Sequence, residues 1–198
     1  GQVTFSKETT EWTVINQFTK NEKTIELPNF LVGGEWVDQN KEIQKESLVV
    51  DEVESLVGGT CTIFQRMNKA GDMLRVCTNV ETLDGNRAVG TFIPAVNPDN
   101  TPNEVVSTVL RGQTYFGRAY VVNAWYITAY KPIMDAKENV VGILYVGIKQ
   151  ENVKSLRNGI MNIAVGDSGY VFVLGGTGSI KGNYVVSQQG KRDGENLW

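Results

Sequence analysis

Arg75 is the residue of this sequence whose type and position point most directly to binding chemistry. Residues 60–67 and 73–80 are strand-like runs joined by a short loop, and symmetric pairing about Ala70 puts Arg75 on one face with Cys61, Ile63, Met73 and Cys77. A guanidinium is costly to bury without an anionic partner, and its fork matches a carboxylate bidentately. We therefore expect a small carboxylate ligand. The alternative is that Arg75 extends to the surface or pairs with an Asp or Glu of the protein itself.

Arg118 is a second candidate because it lies among aromatic residues. If residues 123–124 form a two-residue turn, strand alternation places Arg118 on one face with Tyr120, Trp125 and Ile127. A cation among aromatic rings can hold a ligand, and it can equally form a cation–π contact at the surface. The sequence leaves both interpretations open.

Three further residues, Tyr126, Thr128 and Tyr130, alternate along the strand that carries Trp125 and Ile127, on its opposite face. Aromatic side chains with a polar tip line pockets because they combine apolar area with one hydrogen bond, although aromatic residues on strands also build cores. The predicted ligand-binding residues are therefore Arg75, Arg118, Tyr120, Trp125, Tyr126, Thr128 and Tyr130.

The composition excludes most catalytic and nucleic-acid-binding classes. The chain has no His and 2 Cys, so a Ser-His-Asp triad, a Cys-His dyad and a structural zinc site lack their residues. Its 19 basic and 22 acidic side chains give a net charge of −3, without the basic excess that nucleic acid requires. The acidic residues Asp51, Glu52 and Glu54 fall on the solvated side of a predicted helix. We expect no enzyme activity, no cofactor and no metal.

The two cysteines, Cys61 and Cys77, are expected to be free and buried. In the symmetric register they lie diagonally, with β-carbons about 7 Å apart, which is too far for a disulfide. A slip of two residues would place them opposite each other, so a disulfide is the alternative.

Strand patterns dominate the first half of the chain. β-Branched and aromatic residues cluster in short runs between turn residues. The pattern predicts a hairpin from 10–18 and 24–27, a loop at 30–34, and a helix at 47–57 that ends at Gly58. The hairpin of 60–67 and 73–80 follows, and 87–93 is a further predicted strand.

The second half begins with a helix. Thr101 starts a capping-box pattern with Pro102 at the first helical position, and Gly112 ends the helix. Strands at 114–122, 125–134 and 140–148 follow too closely for parallel crossovers, so an antiparallel meander is expected. A helix at 151–161 precedes two strands, 169–174 and 184–187. The Gly-rich loop 175–182 between them lacks the ending of a phosphate-binding loop and is expected to be a flexible connection.

These elements predict an α+β fold, with an antiparallel sheet that carries helices. Apolar residues make up 41% of the chain, enough for a sizeable core. No run of 18 apolar residues occurs, so the sequence predicts no membrane span. We expect a soluble segment of a longer protein that meets a membrane only through parts outside this chain.

Four blocks of the sequence, at 59–80, 117–135, 140–151 and 169–198, closely resemble the Cache sensor modules. More narrowly, they are similar to the fused double-Cache region of bacterial methyl-accepting chemotaxis receptors. The resemblance implies a PAS-like antiparallel sheet flanked by a long N-terminal helix, in a dimeric receptor. It also implies a position outside the cytoplasmic membrane, in the periplasm or the extracellular space.

With this resemblance, residues 1–150 are expected to form a membrane-distal sensor module, 151–162 a connecting helix, and 163–198 part of a membrane-proximal module. The expected function is recognition of a small metabolite, in particular an organic anion such as acetate or another short carboxylate. Two alternatives stay open, namely the sensor domain of a membrane histidine kinase and a ligand-free spacer that dimerises.

Overall fold

The computed structural model describes residues 2–122, 124–176 and 181–198, apart from the side chains of Leu48, Val57, Tyr120, Ala124 and residues 151–153. Residues 1–149 and 150–198 form two compact units. No helix within the described ranges is both long and apolar enough to cross a membrane. The assignment of 163–198 to a second sensor module stays a prediction.

In the described part of the first unit, a nine-stranded sheet carries two helices, α1 (Leu48–Val57) and α2 (Glu104–Leu110). The strands are β1 (Val3–Asn16), β2 (Glu22–Val32), β3 (Glu35–Trp36), β4 (Thr60–Arg66), β5 (Met73–Thr78), β6 (Thr91–Ile93), β7 (Tyr115–Val121), β8 (Ala124–Met134) and β9 (Val140–Lys149). Their order is β3-β2-β1-β6-β5-β4-β9-β8-β7. All neighbours are antiparallel except β1 and β6, which are parallel. The predicted α+β class is confirmed.

The sheet has two differently covered faces. The inner face carries Phe64, Ile143 and Tyr145, which pack against the apolar side of α2. The outer face carries Cys61 and Ile63, which belong to a core with Val50 of α1. Toward β8 and β9 the outer face is exposed and apolar, at Ile127, Leu144, Val146 and Ile148.

The hairpin of β1 and β2 is longer than the sequence pattern indicated. Its pairing extends from Ile15 opposite Glu22 to Val3 opposite Val32. The prediction of a loop over 30–34 is wrong, because Phe30 continues β2 and packs edge-on against Phe5, with ring centroids 5.4 Å apart. The loop is confined to residues 33–34, both glycines with positive φ.

Both predicted helices of this unit form, but one begins later than expected. Helix α1 ends at Gly58, whose φ of 67° gives the left-handed cap that the sequence predicted. Thr101 does not cap α2. Asn103 does, because its side-chain oxygen accepts a hydrogen bond from the Val106 N–H at 3.2 Å.

The meander of β7, β8 and β9 is confirmed, and so is the hairpin of β4 and β5. The strand predicted over 87–93 is shorter and starts at Thr91. Cys61 and Cys77 are free and buried, as expected.

The second unit contains α3 (Gln150–Met161) and two small hairpins in its described residues. One hairpin joins β10 (Ala164–Val165) to β11 (Gly169–Tyr170), and the other joins β12 (Val173–Leu174) to β13 (Tyr184–Val186). The single strand expected over 169–174 is therefore split between two hairpins. Part of the Gly-rich loop, 177–180, lies outside the described residues.

A pair of salt-bridged residues anchors the second unit internally. Arg157 of α3 pairs with Asp193 and donates to the Val185 carbonyl at 2.8 Å. The Asp193 carboxylate also accepts hydrogen bonds from the backbone and hydroxyl of Ser187. These contacts tie α3 to β13 and to the segment that follows it.

Arg87, which is 3% exposed, ties the segment before α1 to the sheet. Its guanidinium donates to both carboxylate oxygens of Asp51 at 2.7 Å and to four backbone carbonyls, those of Glu42, Ile43, Lys45 and Thr78. The sequence suggested that Asp51 is a solvated helix residue, and this prediction is wrong. The burial of Arg87 is compensated by acceptors on every side.

Replacing Arg87 by Met should lower the free energy of unfolding by about 3 to 5 kcal/mol, because it leaves a carboxylate and several carbonyls without their donors. The exposed pair of Lys45 and Asp38 provides the control, and Lys45→Met should cost less than about 1 kcal/mol. Urea denaturation followed by circular dichroism measures both values. Equal losses in the two variants would contradict the assignment of Arg87 as a structural anchor.

The Asp51 carboxyl should make folding sensitive to acid. Burial on its own would raise the pKa of Asp51, but hydrogen bonds from Arg87 and the Ser47 N–H, with the Arg87 charge, hold it below its usual value. This stabilisation is present above pH ~4, near the unfolded pKa, and is lost as pH falls through the folded pKa. Urea midpoints should fall less steeply in Asp51→Asn than in the parent between about pH 6 and about pH 2.5. Parallel curves would show that Asp51 does not couple folding to pH.

Candidate functional site

A β-bulge decides which face of the sheet carries Arg75. Arg75 lies opposite Phe64, but Cys77 lies opposite Ile63, so Val76 is an extra residue between two pairs. The extra residue reverses the alternation, and Arg75 joins Phe64 on the inner face. The prediction that Arg75 shares a face with Met73 is correct. The same prediction is wrong for Cys61, Ile63 and Cys77, which lie in the outer core.

The guanidinium of Arg75 is buried among aromatic rings. The residue is 0% exposed, and its guanidinium carbon lies 4.8 Å from the centroid of the Phe64 ring. Its Nη1 donates to the Thr91 hydroxyl, which itself donates to the Ala88 carbonyl at 2.8 Å. Among the described residues, Nε and Nη2 have no hydrogen-bond partner. Two charged donors are therefore buried without an acceptor.

Arg87 shows what a compensated buried arginine looks like in the same unit. All three of its guanidinium nitrogens donate hydrogen bonds, and it has a carboxylate partner. Within the ranges that the structure covers, Arg75 has one acceptor and forms no ion pair. Because buried donors are normally satisfied, the difference makes Arg75 the candidate for the site.

The electrostatics around Arg75 favour a negatively charged partner. Burial lowers the pKa of its guanidinium to about 10, and the nearby hydroxyls of Tyr130, Tyr145 and Tyr126 act in the opposite direction. Burial also raises the pKa of Tyr130 and of Tyr145. At neutral pH the site therefore combines one positive charge with neutral phenols.

Tyrosine rings form the wall beside Arg75. The Tyr130 ring lies 4.9 Å from Tyr145, 6.0 Å from Tyr115 and 6.4 Å from Phe64, between centroids. The Tyr145 hydroxyl is hydrogen-bonded to the Thr60 hydroxyl at 3.0 Å. The wall therefore combines apolar ring faces with phenol hydroxyls that lie near enough to act on the guanidinium charge.

The three residues predicted on one face of β8 all lie on the inner face. Tyr126, Thr128 and Tyr130 are buried, and the Thr128 hydroxyl donates to the Gly117 carbonyl at 2.9 Å. That hydrogen bond uses the only hydroxyl proton of Thr128, so Thr128 can offer a ligand an acceptor but no donor. Tyr130 lies near Arg75 and also lines a cavity.

The cavity has a volume of about 280 Å³ and lies between α2, β7, β8 and the ends of β1 and β6. Its lining comprises Gln17, Phe18, Ile93, Asn97, Asn103, Glu104, Val105, Tyr115, Arg118, Ala119, Trp125 and Tyr130. Ile93 is two residues beyond Thr91, which binds Arg75, so the guanidinium lies near this cavity. The size suits a molecule of few non-hydrogen atoms.

Arg118 and Trp125 are separated from the buried arginine. They pair with outer-face positions, both are exposed, and the Arg118 guanidinium carbon lies 5.1 Å from the Trp125 ring centroid. Both also line the cavity, which places them at its mouth. The side chain of Tyr120 lies outside the described residues. The structure thus brings Arg75, Tyr126, Thr128 and Tyr130 together and leaves Arg118 and Trp125 at the margin.

Several lining residues were missed in the sequence. Gln17 lies within the predicted strand 10–18 and belongs to no motif, and it reaches the cavity because β1 pairs with the distant β6. Asn103 was not identified because Thr101 has the capping-box spacing, which predicts a helix cap at Thr101. An Asn two residues later that precedes Glu and a valine pair was the signal that could have identified it.

Comparison with known proteins gives one family. A family model described as the Cache 3/Cache 2 fusion domain matches residues 2–198. The curated proteins and the solved structures gave no match. The match includes both compact units of the chain.

Replacing Arg75 by Met should stabilise the ligand-free protein. The change removes a buried charge that lacks an ion-pair partner and keeps most of the side-chain volume, so the free energy of unfolding should rise by about 1 to 4 kcal/mol. Urea denaturation without added ligand measures the change. The opposite sign is expected for Arg87→Met, and a similar loss in both variants would mean that Arg75 is fully compensated inside the protein.

Proposed function

Because the chain belongs to the Cache 3/Cache 2 fusion family, whose members are extracytoplasmic sensor domains, we propose that its first unit senses a small carboxylate. The observation that carries the proposal is the pair of unpartnered donors on the buried Arg75 guanidinium. The protein binds its ligand without converting it, and turnover of a bound carboxylate would contradict this role.

A carboxylate fits these donors by geometry as well as by charge. Nε and Nη2 share one edge of the guanidinium, and two parallel hydrogen bonds from such an edge bind a carboxylate bidentately. Nη1 is already used by Thr91, which fixes the orientation of the plane. The free edge is therefore the one that a carboxylate would occupy.

The ligand approaches from the cavity beside Tyr130. Tyr130 lines the cavity and lies near Arg75, so its ring lies between the two. Rotation of an interface side chain is a common change on binding. Movement of this ring would join the cavity of about 280 Å³ to the guanidinium edge.

We further propose that the module belongs to a homodimeric chemotaxis receptor. This part of the proposal is supported by the similarity of four sequence blocks to the double-Cache region of such receptors. A membrane histidine kinase could carry the same sensor. The carboxylate proposal does not depend on which output domain follows.

Calorimetric titration with acetate, propionate, lactate, pyruvate and succinate tests the site. At least one should bind, and Arg75→Met should weaken its binding at least about 30-fold, as expected for loss of a desolvated ion pair worth 2 kcal/mol or more. Arg111→Met is the matched control, because Arg111 is exposed and lies at the end of α2. Unchanged affinity in Arg75→Met would remove Arg75 from the site.

The same ligands separate a sensor from a ligand-free spacer. A ligand at 100 times its dissociation constant adds about 2.7 kcal/mol to the stability of the folded state. A thermal-shift screen should therefore show a rise in melting temperature with the carboxylate that binds. A protein that responds to none of these compounds would favour the spacer.

A further inference from the structure

Gln17 presents a second unpartnered polar group to the same region. Its side chain lines the cavity beside Tyr130, and the residue is 9% exposed. Among the described residues, its Oε1 has no hydrogen-bond donor. A buried amide oxygen without a donor is uncommon, because an unsatisfied acceptor costs about 1 to 3 kcal/mol.

The pairing of β1 with β6 fixes where Gln17 lies relative to Arg75. The two strands run parallel, with Ile15 opposite Thr91, and the Gln17 N–H donates to the Phe92 carbonyl at 3.1 Å. Gln17 lies in the turn that follows β1, and this backbone hydrogen bond holds it beside the end of β6, the strand that carries Thr91, the acceptor of Arg75. Arg75 lies on β5, across β6 from Gln17, so two strand spacings of about 5 Å each separate the two backbones, with about 7 Å for two residues along the strand. Both side chains are long enough to shorten this separation, so a small molecule can reach both.

The other amides of the cavity are already used within the protein. Asn103 accepts from Val106 and donates to the Asn97 oxygen at 2.9 Å, and Asn97 donates to the Thr101 hydroxyl at 3.1 Å. These contacts link Asn97 to Asn103, the residue that caps α2. Gln17 differs because its side chain lines the cavity and its Oε1 has no such contact among the described residues.

We infer that the ligand carries two functional groups: a carboxylate that binds Arg75, and a hydroxyl or amino group that donates a hydrogen bond to Oε1 of Gln17. The inference rests on the proposed carboxylate site and narrows its ligand class. It follows from complementarity, since the site has charged donors at one end and an acceptor at the other. A ligand with a carboxylate alone would leave the Gln17 oxygen buried and unpaired.

Matched carboxylates that differ by one donor test the inference by calorimetric titration of the 198-residue chain. The pairs are propionate with lactate, and butyrate with 3-hydroxybutyrate and with 4-aminobutyrate. The keto acids pyruvate and acetoacetate have an acceptor in place of the donor. At least one donor-bearing compound should bind about tenfold or more tightly than its plain and keto counterparts, because tenfold corresponds to about 1.4 kcal/mol, which lies within the cost of leaving a buried acceptor unsatisfied.

Gln17→Met is the matched variant, because Met is similar in length and offers only a weak acceptor. In this variant, the affinity for the donor-bearing compound should fall to within about threefold of the affinity for the plain carboxylate. The affinity for the plain carboxylate should itself stay unchanged within the same factor. Gln17→Glu, which keeps an acceptor at this position, should retain a preference for the amino compound over butyrate.

The outcomes separate this inference from the proposed function. Binding of carboxylates with dependence on Arg75 but without preference for a donor would overturn the role of Gln17 alone. A preference for the keto acids, or a donor preference that survives in Gln17→Met, would overturn it as well. Absence of binding by every carboxylate would overturn the proposed function, and this inference with it. The comparison among ligands needs only the parent protein, so it holds even if a variant does not fold.

Discussion

The site depends on one physical constraint, which is that a guanidinium is held inside the protein without enough acceptors. Burial of a charge is unfavourable unless partners replace its water, and Arg87 shows that this unit of the protein can supply them. At Arg75 the protein supplies a single hydroxyl and the faces of aromatic rings. Local structure that is unfavourable in the folded state is typical of functional sites, because a ligand can provide what the protein lacks.

The extra residue in β5, Val76, places the Arg75 guanidinium on the inner face of the sheet. Strict alternation along β5 would have put Arg75 with Cys77, in the outer core beneath α1. The bulge at Val76 moves Arg75 to the face covered by α2, where the tyrosines and the cavity lie. Alternation is visible in a sequence, but a bulge depends on how two strands pack against their neighbours, so the sequence could not indicate it.

The same distinction explains which elements the sequence predicted. Helix α1, the hairpin of β4 and β5, and the meander of β7 to β9 follow from contacts between near neighbours, and their patterns identified them. Gln17 and Arg87 act through partners on distant segments, β6 and the 41–51 region. Nothing within a short window marks such residues. The tyrosines of β8 were identified as candidates because their alternation is local, whereas the cavity beside them required the parallel pairing of β1 with β6.

The position of the short strand β6 indicates how a bound ligand would act on the sheet. With three residues, it is the strand that joins the β1–β3 part of the sheet to the part formed by β5, β4 and β7–β9. Arg75 lies on one side of β6 and Gln17 on the other. A ligand bound to both side chains would add a contact across this narrow connection. A ligand changes a conformational equilibrium only by binding its states unequally, and two arrangements of the sheet parts that separate Arg75 from Gln17 to different extents would meet that condition.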